Sequence, residues 1–180
     1  MNQSLIKSSP KTVEKSTLRT EENPPSIEIS HDFDFLMGRY TVRNRRLLKR
    51  LQGCQEWEEF DAINTARPLL RGAGNEDEFV TDHAGGYVGM SFRFFNPKTK
   101  QWSIYWASSK SGMLEPPVTG EFKDNVGLFS GADTLEGKAI LVRFIWSRVH
   151  TPTPRWEQAF SNDGGLTWET NWVMEFRRAT

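Results

Sequence analysis

Cysteine is nearly absent from this chain of 180 residues, where Cys54 is the single example. An internal disulfide is therefore excluded, and a zinc site built from cysteine thiolates would need more ligands than Cys54 provides. No stretch approaches the roughly 18 consecutive apolar residues of a membrane-spanning helix, and the first residues lack the apolar segment of a secretory signal. These absences predict a cytoplasmic protein with no membrane partner.

Neither sign of charge is in excess, because 23 Lys and Arg residues balance 23 Asp and Glu residues. Proteins that bind nucleic acid carry a basic surplus, so no nucleic-acid partner is expected. His31, His83 and His150 are isolated from one another and from other ligands at metal-binding spacing, so no metal site is expected either. The phosphate-binding, dinucleotide-binding and serine-hydrolase motifs are also missing.

Aromatic residues are missing from residues 1–30, which are rich in Ser, Thr, Lys, Glu and Pro. Such a segment cannot bury enough apolar surface to offset the entropy lost on ordering. All 7 Trp, 12 Phe and 3 Tyr residues lie in the remainder of the chain. The sequence therefore predicts a disordered N-terminal tail over 1–30 and one folded domain over 31–180.

Short β-strand patterns fill this domain, and each ends at a Gly, Pro, Asn or Asp signal. Ten short strands joined by short turns favour an all-β fold, a single up-and-down antiparallel barrel, because closure removes exposed sheet edges. A two-sheet sandwich is the alternative, since strand counts alone do not show closure. The strands are predicted over 38–51, 55–66, 74–81, 87–96, 101–107, 117–123, 126–132, 138–148, 154–161 and 167–178.

Alternation within the strands predicts which side chains face the barrel interior. A barrel of eight to ten strands can enclose one small ligand, although aromatic side chains can also simply fill it. Arg93 and Arg143 are assigned to the outer face. The predicted inward rows are Met90, Phe92 and Phe94; Trp102, Ile104 and Trp106; Ile140, Val142, Phe144 and Trp146; Trp156, Gln158 and Phe160; and Trp168, Trp172, Met174 and Phe176. The predicted cavity residues from these rows are Phe92, Trp102, Trp106, Trp146, Trp156, Gln158 and Trp172.

The first two strands carry a basic run and an acidic run. If Gln52-Gly53 forms a two-residue turn, Arg46 faces Glu59 and Asn44 faces Asp61 on the inner side of the barrel. Arg46 would then hold a ligand carboxylate or phosphate through its fork of donors. In an enzymatic alternative, Glu59 or Asp61 acts as general base beside Arg46. A purely structural ion pair between Arg46 and Glu59 is the other interpretation.

Residues 161–168, SNDGGLTW, match the Asp-box of sialidases and other β-propellers. A propeller needs at least four blades of about 40 residues each, which the domain cannot supply, and the motif occurs once. The segment is therefore predicted to be a β-hairpin turn. Asp163 would bind turn amides, Gly164 and Gly165 would adopt positive φ, and Trp168 would begin the next strand.

Residues 33–42, FDFLMGRYTV, resemble the opening of a calycin, the superfamily of lipocalin-like barrels in which a short helical turn leads into a G-x-W motif. Here Gly38 and Tyr40 occupy the motif, with Tyr in place of Trp. The family pattern implies an arginine from the last strand across this ring, either Arg178 or, alternatively, Arg177. Together with EWEEF and RWEQAFSNDGGLTWETNWVMEFRR, these residues are similar to an uncharacterised family of small bacterial calycin-like proteins.

That family has no settled activity, so the resemblance implies a fold and, in general terms, a binding function. The expected function is a barrel that binds a small hydrophobic or aromatic ligand, with or without an anionic group, and that uses no cofactor. Some calycin-like barrels bind haem through one histidine, and haem or bilin handling through His150 is a further alternative. The last alternative is a solidly packed barrel that associates with a second copy to form a homodimer.

Overall fold

The computed structural model describes residues 27–179. Most of the predicted disordered tail, residues 1–30, lies outside the described residues. The described chain contains ten β-strands and three one-turn 3₁₀ helices, Asp34–Leu36, Leu70–Gly72 and His83–Gly85. No helix between residues 27 and 179 is long and apolar enough to span a membrane. The strands are β1 (Gly38–Leu47), β2 (Trp57–Leu69), β3 (Gly74–Thr81), β4 (Tyr87–Asn96), β5 (Gln101–Ser108), β6 (Val118–Lys123), β7 (Val126–Leu135), β8 (Lys138–Ser147), β9 (Arg155–Ser161) and β10 (Glu169–Arg178).

The strands pair in sequence order, and β1 also pairs with β10, so the sheet closes into a barrel. Every neighbouring pair is antiparallel. The predicted all-β up-and-down barrel is therefore confirmed, and the two-sheet sandwich is wrong. The predicted limits of β3 and β4 are also those observed.

Because each strand is joined to its neighbour in the barrel, successive turns lie alternately at the two ends of the barrel. We call one end the closed end, because the chain that precedes β1 fills it. The other is the open end. The turns at the open end are 48–56, 82–86, 109–117, 136–137 and 162–168, and those at the closed end are 70–73, 97–100, 124–125 and 148–154.

The closed end is filled by residues 33–37, which we call the plug and which include the helix Asp34–Leu36. Phe33 and Leu36 are 1% and 0% exposed. The Phe33 ring meets the rings of Trp102 and Phe122 edge to face, with centroids 4.9 and 5.0 Å apart. Edge-to-face packing of this kind adds to the free energy gained from burying the rings. The plug therefore belongs to the hydrophobic core.

Tyr40 connects the plug to the last strand. Its hydroxyl donates a hydrogen bond to the Phe35 carbonyl. Of the two arginines named above, Arg178 lies over the Tyr40 ring, 4.9 Å from its centroid, and donates to the Met37 carbonyl at 2.8 Å. Gly38 has a φ of +104°, and a Cβ there would lie 2.8 Å from Arg178 Nη1. Glycine is needed because a side chain would strain the backbone and crowd the arginine.

The register of the first hairpin differs from the prediction by one residue. Arg45 pairs with Glu59, Arg43 with Asp61, and Arg46 with Glu58. The connection is a long loop over 48–56 in place of a two-residue turn, and a slip of one residue reverses the face of every side chain. The inner face of β2 is accordingly Phe60, Ala62, Asn64 and Ala66, all buried.

The predicted inner face of β4 is also wrong. Phe92 lies opposite Tyr105 on the outer side of the sheet, whereas Ser91 and Arg93 are buried inside. The reason is visible at Gly89, where an added Cβ would lie 2.0 Å from the Trp106 ring. In β4, Gly89 therefore faces inward, where it makes room for the Trp106 ring. Met90, Phe92 and Phe94 consequently lie on the outer face.

The turn between β9 and β10 is the predicted hairpin turn. Both carboxylate oxygens of Asp163 accept from the Thr167 amide at 3.0 Å, and Gly164 and Gly165 have φ of +75° and +91°. Trp168 is not part of the inner row, because a bulge between Thr170 and Trp172 shifts the register. Its indole nitrogen instead donates to the Gly165 carbonyl at 3.0 Å.

Candidate functional site

A cavity of about 270 Å³ lies inside the barrel and has its mouth at the open end. This volume is close to the lower limit of roughly 300–1,000 Å³ for sites that bind small organic molecules. Its wall is mainly aromatic because the inner faces of β5, β8, β9 and β10 carry the predicted rows. The aromatic wall residues are Phe79, Trp106, Phe144, Trp146, Trp156, Phe160, Trp172 and Phe176.

The rings of the wall hold one another in place. Trp156 meets Trp172 at a centroid distance of 5.7 Å and an interplanar angle of 83°, and Phe144 lies 4.9 Å from Trp156. Asn44 is fully buried behind the wall, where its Oδ1 accepts from Trp172 Nε1 at 3.0 Å and its Nδ2 donates to the Val42 carbonyl. Asn44 thus fixes the orientation of a wall tryptophan.

The cavity has a polar base on the side of the closed end, which we call the floor and which consists of Asn64, Asp77, Ser91 and Arg93. Arg93 Nη2 lies 2.5 Å from Asp77 Oδ2, and both side chains are 5% exposed. Arg93 Nη1 donates to Asn75 Oδ1 at 3.0 Å. A buried ion pair needs such extra hydrogen bonds to offset the loss of hydration.

Two donors on the floor have no acceptor. Within residues 27–179, Asn64 Nδ2 and Arg93 Nε are buried and lack a hydrogen-bond partner. Asn64 is 3% exposed and belongs to the inner face of β2. A buried donor without a partner costs about 1–3 kcal/mol, so each one calls for an explanation.

Charged groups surround the mouth of the cavity, which we call the rim and define by Arg50, Glu115 and Asp133. Burial of its carboxyl group and the nearby charge of Asp133 raise the pKa of Glu115, while Arg50 opposes this shift. Burial and the neighbouring Arg46 lower the pKa of Arg50. A ligand that enters the cavity has to pass these three groups.

Next to the rim, Arg46 and His83 share the carboxylate of Glu58. Arg46 Nη2 lies 2.8 Å from Glu58 Oε1, and His83 Nε2 lies 3.1 Å from Glu58 Oε2. The imidazole stacks on Phe60, and the Arg46 guanidinium lies 5.2 Å from the Phe60 and Trp172 centroids. Burial alone would raise the pKa of Glu58, but the hydrogen bonds from Arg46 and the proximity of His83 hold it below its usual range.

The structure brings together only part of the predicted site. Arg46 lies beside the rim and outside the cavity wall, and Asn44 lies behind the wall. Trp102 is buried below the cavity, where its indole nitrogen donates to Asp32 Oδ2 at 3.0 Å. Phe92 is on the outer surface. The predicted residues that line the cavity are Trp106, Trp146, Trp156, Gln158 and Trp172.

Glu59 and Asp61 lie on the outside of the barrel, so their assignment to the cavity is wrong. Arg43 holds both, at 2.7 Å from Glu59 Oε2 and 3.1 Å from Asp61 Oδ1, and their side chains are 47% and 77% exposed. The cause is the one-residue difference in the register of the first hairpin. Neither carboxylate can act as a base on a molecule inside the barrel.

His150 lies at the closed end, away from the cavity. It is exposed, and its Nε2 is 2.7 Å from Asn125 Oδ1. A tetrapyrrole inside the barrel would therefore be out of its reach. In the described part of the chain, no group of three or more His, Cys, Asp or Glu side chains is arranged to hold a metal ion.

The floor and the rim were missed by reasoning from the sequence. Asn64 lies on the same face of β2 as Phe60 and Ala62, so the correct hairpin register would have placed it inside. Asp77 likewise lies on the same face of β3 as Phe79, within GNEDEFVT. Arg93 carried no such signal, because the row of Met90, Phe92 and Phe94 beside it looks like an inner face. The rim comes from three separate loops or strand ends, which no local pattern links.

Comparison with protein-family models gives no match, and comparison with curated protein sequences gives none either. The fold is thus established by strand order and closure alone, as a closed antiparallel barrel of ten strands.

Proposed function

We propose that this protein is a calycin-like barrel that binds one small, largely aromatic molecule in its cavity. The observation that carries the proposal is the aromatic-walled space of about 270 Å³ that opens at one end of the barrel. A solidly packed barrel would have no such space. The calycin-like assignment depends on the short helix that leads to Gly38 and Tyr40, and on Arg178 across the Tyr40 ring.

The wall favours binding because little has to be ordered when a ligand enters. Its tryptophans already pack edge to face, and Asn44 holds the Trp172 indole by a hydrogen bond. A site that is ordered beforehand loses less conformational entropy on binding. Burial of a flat apolar molecule then contributes about 25 cal/mol per Å² of apolar surface.

The carboxylates predicted as bases and the carboxylate on the floor favour a binding role over catalysis. Glu59 and Asp61 lie outside the barrel. Asp77 faces the cavity, but Arg93 already engages it at 2.5 Å. A general base has to be free to accept a proton from the bound molecule, and a carboxylate held by arginine is a poor one.

The first test is native mass spectrometry of the full chain after gentle purification from cells. We expect a native mass that exceeds the denatured mass by that of one small molecule. The same spectra report the oligomeric state, so the predicted homodimer is tested at the same time.

The second test titrates the protein with naphthalene and follows tryptophan fluorescence. Ser91 lies on the floor, and Ser103 lies on the outer face of β5. We expect Ser91→Phe to fill the cavity and abolish the response, while Ser103→Phe, the same change on the outside, retains it. Equal responses in both variants, together with no mass excess, would contradict the proposal.

A further inference from the structure

The rim of the cavity carries charges of both signs that do not pair with one another. Arg50, Glu115 and Asp133 all line the cavity, and none of them forms an ion pair with a residue between 27 and 179. Arg50 Nε is fully enclosed, so only the two terminal nitrogens of the guanidinium can meet a ligand. Within the described part of the chain, the mouth therefore presents one unpaired cation and two unpaired carboxylates.

The other carboxylates that act on the charge of Arg50 are already engaged. Burial lowers the pKa of Arg50, and the charges of Glu58 and Glu169 act against this shift. Glu58 Oε1 lies 2.8 Å from Arg46 Nη2, and Glu169 Oε1 accepts from the Leu51 amide at 2.6 Å. The guanidinium of Arg50 is therefore left to donate to an anionic group that a ligand brings.

The two carboxylates of the rim lie side by side. Asp133 belongs to the inner face of β7, where it pairs with the buried Ile140 of β8. The antiparallel pairing of Thr119 with Ser130, continued toward the mouth, brings Glu115 beside Asp133. Burial raises the pKa of Glu115 and the charge of Asp133 raises it further, as expected for neighbouring carboxylates. Together they form a negative side of the mouth.

Arg50 lies on the other side of the mouth, where its Cζ is 5.9 Å from the centroid of the Phe160 ring. Phe160 pairs with Val142 of β8, and Val142 pairs with Gly131 of β7. Gly131 is one inward position from Asp133. Because neighbouring strands are about 4.8 Å apart, a gap of roughly 10 Å separates Arg50 from Asp133. Two hydrogen bonds of about 2.8 Å and one head group with adjacent ammonium and carboxylate groups fill such a gap.

From this arrangement we infer that the ligand is a zwitterion of the aromatic amino acid class. Its ring lies among the tryptophans of the wall, its carboxylate accepts from Arg50, and its ammonium group lies against Glu115 and Asp133. Both charged groups stay at the mouth, where water still reaches them, so little hydration is lost. The inference rests on the proposed function, since it assigns a ligand class to the same cavity.

The test compares four indoles by calorimetry on the full chain at pH 7: tryptophan, tryptamine, indole-3-propionate and 3-methylindole. They share one ring system and carry both charges, the ammonium alone, the carboxylate alone and neither. We expect tryptophan to bind about fivefold more tightly than either singly charged compound, because one ion pair at an accessible site contributes up to about that factor.

Two variants test the two sides of the mouth separately. Arg50→Met should weaken the binding of tryptophan and indole-3-propionate, and Glu115→Gln should weaken that of tryptophan and tryptamine. Neither should change the affinity for 3-methylindole. The matched controls are Arg39→Met and Glu121→Gln, on the outer faces of β1 and β6, and they should keep the wild-type order. A damaged fold would lower all four affinities together, so the crossed pattern reports charge alone.

The outcomes separate the two levels of the argument. Tightest binding of indole-3-propionate overturns the zwitterion in favour of an anionic ligand, and tightest binding of tryptamine overturns it in favour of a cation. Equal binding of all four, or tightest binding of 3-methylindole, also overturns it and leaves the binding function standing. Binding of none of them overturns the zwitterion, and overturns the proposed function as well if the native protein shows no mass excess.

Discussion

The closed and open ends of the barrel are built from different contacts. At the closed end, Phe33 and Leu36 are buried among aromatic rings, and Arg178 ties the plug to the last strand. At the open end, charged side chains surround a cavity, and Leu166 is 86% exposed on its turn. Stability within one fold is unevenly distributed, and binding sites tend to occupy its less stable parts. The comparison teaches that folding depends mainly on one end of this barrel and ligand access on the other.

The largest expected effect comes from deleting the same side chain at each end. Phe33→Ala removes a ring packed on all sides and should lower the free energy of unfolding by about 3–5 kcal/mol. Phe144 is half-buried and has the cavity on one side. Phe144→Ala should therefore cost clearly less, while it weakens naphthalene binding more. Urea unfolding and fluorescence titration of both variants measure the two quantities, and equal losses of stability would show that the ends do not differ.

The next effect concerns the boundary between the ends, where Arg93, which belongs to the floor, also lies 5.1 Å from the centroid of the Phe33 ring. Asp77→Asn keeps an oxygen acceptor and removes the charge. We expect it to lower the free energy of unfolding by about 1.5–3 kcal/mol, the value of a hydrogen bond to a charged group. Replacing both partners, as Asp77→Leu with Arg93→Met, should restore part of the loss because no unpaired charge stays buried. A double variant less stable than Asp77→Asn would contradict the view that Arg93 and Asp77 neutralise each other in the folded protein.

A smaller effect is expected at the open-end turn that contains Asp163. Hydrogen bonds from Thr167 and Ser161 hold the pKa of Asp163 well below its usual range. The folded protein thus favours the charged form, and the stabilisation is complete above the ordinary Asp pKa of about 3.9 and is lost as the pH falls below it. Asp163→Asn should be less stable than the wild type at pH 7, and the difference should shrink at pH 3. Urea unfolding at both values is the measurement, and a constant difference would count against this account.

The smallest effect is expected on the rim. Because the pKa of Glu115 is raised by burial and by Asp133, the ionised carboxylate disfavours the folded state. That cost is present above the raised pKa and disappears as the pH falls toward the ordinary Glu value of about 4.3. Glu115→Gln should therefore be slightly more stable than the wild type at pH 7 and equal to it at pH 4. Glu121→Gln, on the exposed face of β6, is the matched control, and an identical pH profile for both variants would refute the prediction.

The sequence predicted the barrel well, because turns and alternation are local signals. The strand limits followed from residues such as Gly137, and inward rows such as that of Trp102, Ile104 and Trp106 followed from a period of two. The Asp163 turn was predictable for the same reason, since its hydrogen bonds connect residues a few positions apart.

The cavity floor was not predictable in the same way, because it depends on register and on contacts between strands. A loop over 48–56, in place of a two-residue turn, moved Glu59 and Asp61 to the outer surface. In β4 the inner face holds Gly89 and Arg93, whose roles arise from Trp106 and from Asp77 on neighbouring strands. Such pairings are distant in the sequence, so the pattern of one strand does not contain them.

The pairing of β1 with β10 also affects how the chain folds. Arg178 reaches Met37 across 141 positions of sequence, and a contact so distant carries a large loop-closure cost before it forms. Until this seam closes, both strands expose unpaired edges on which other chains can add. We therefore expect the closing of the seam to be the slow step of folding and the point at which folding competes with aggregation.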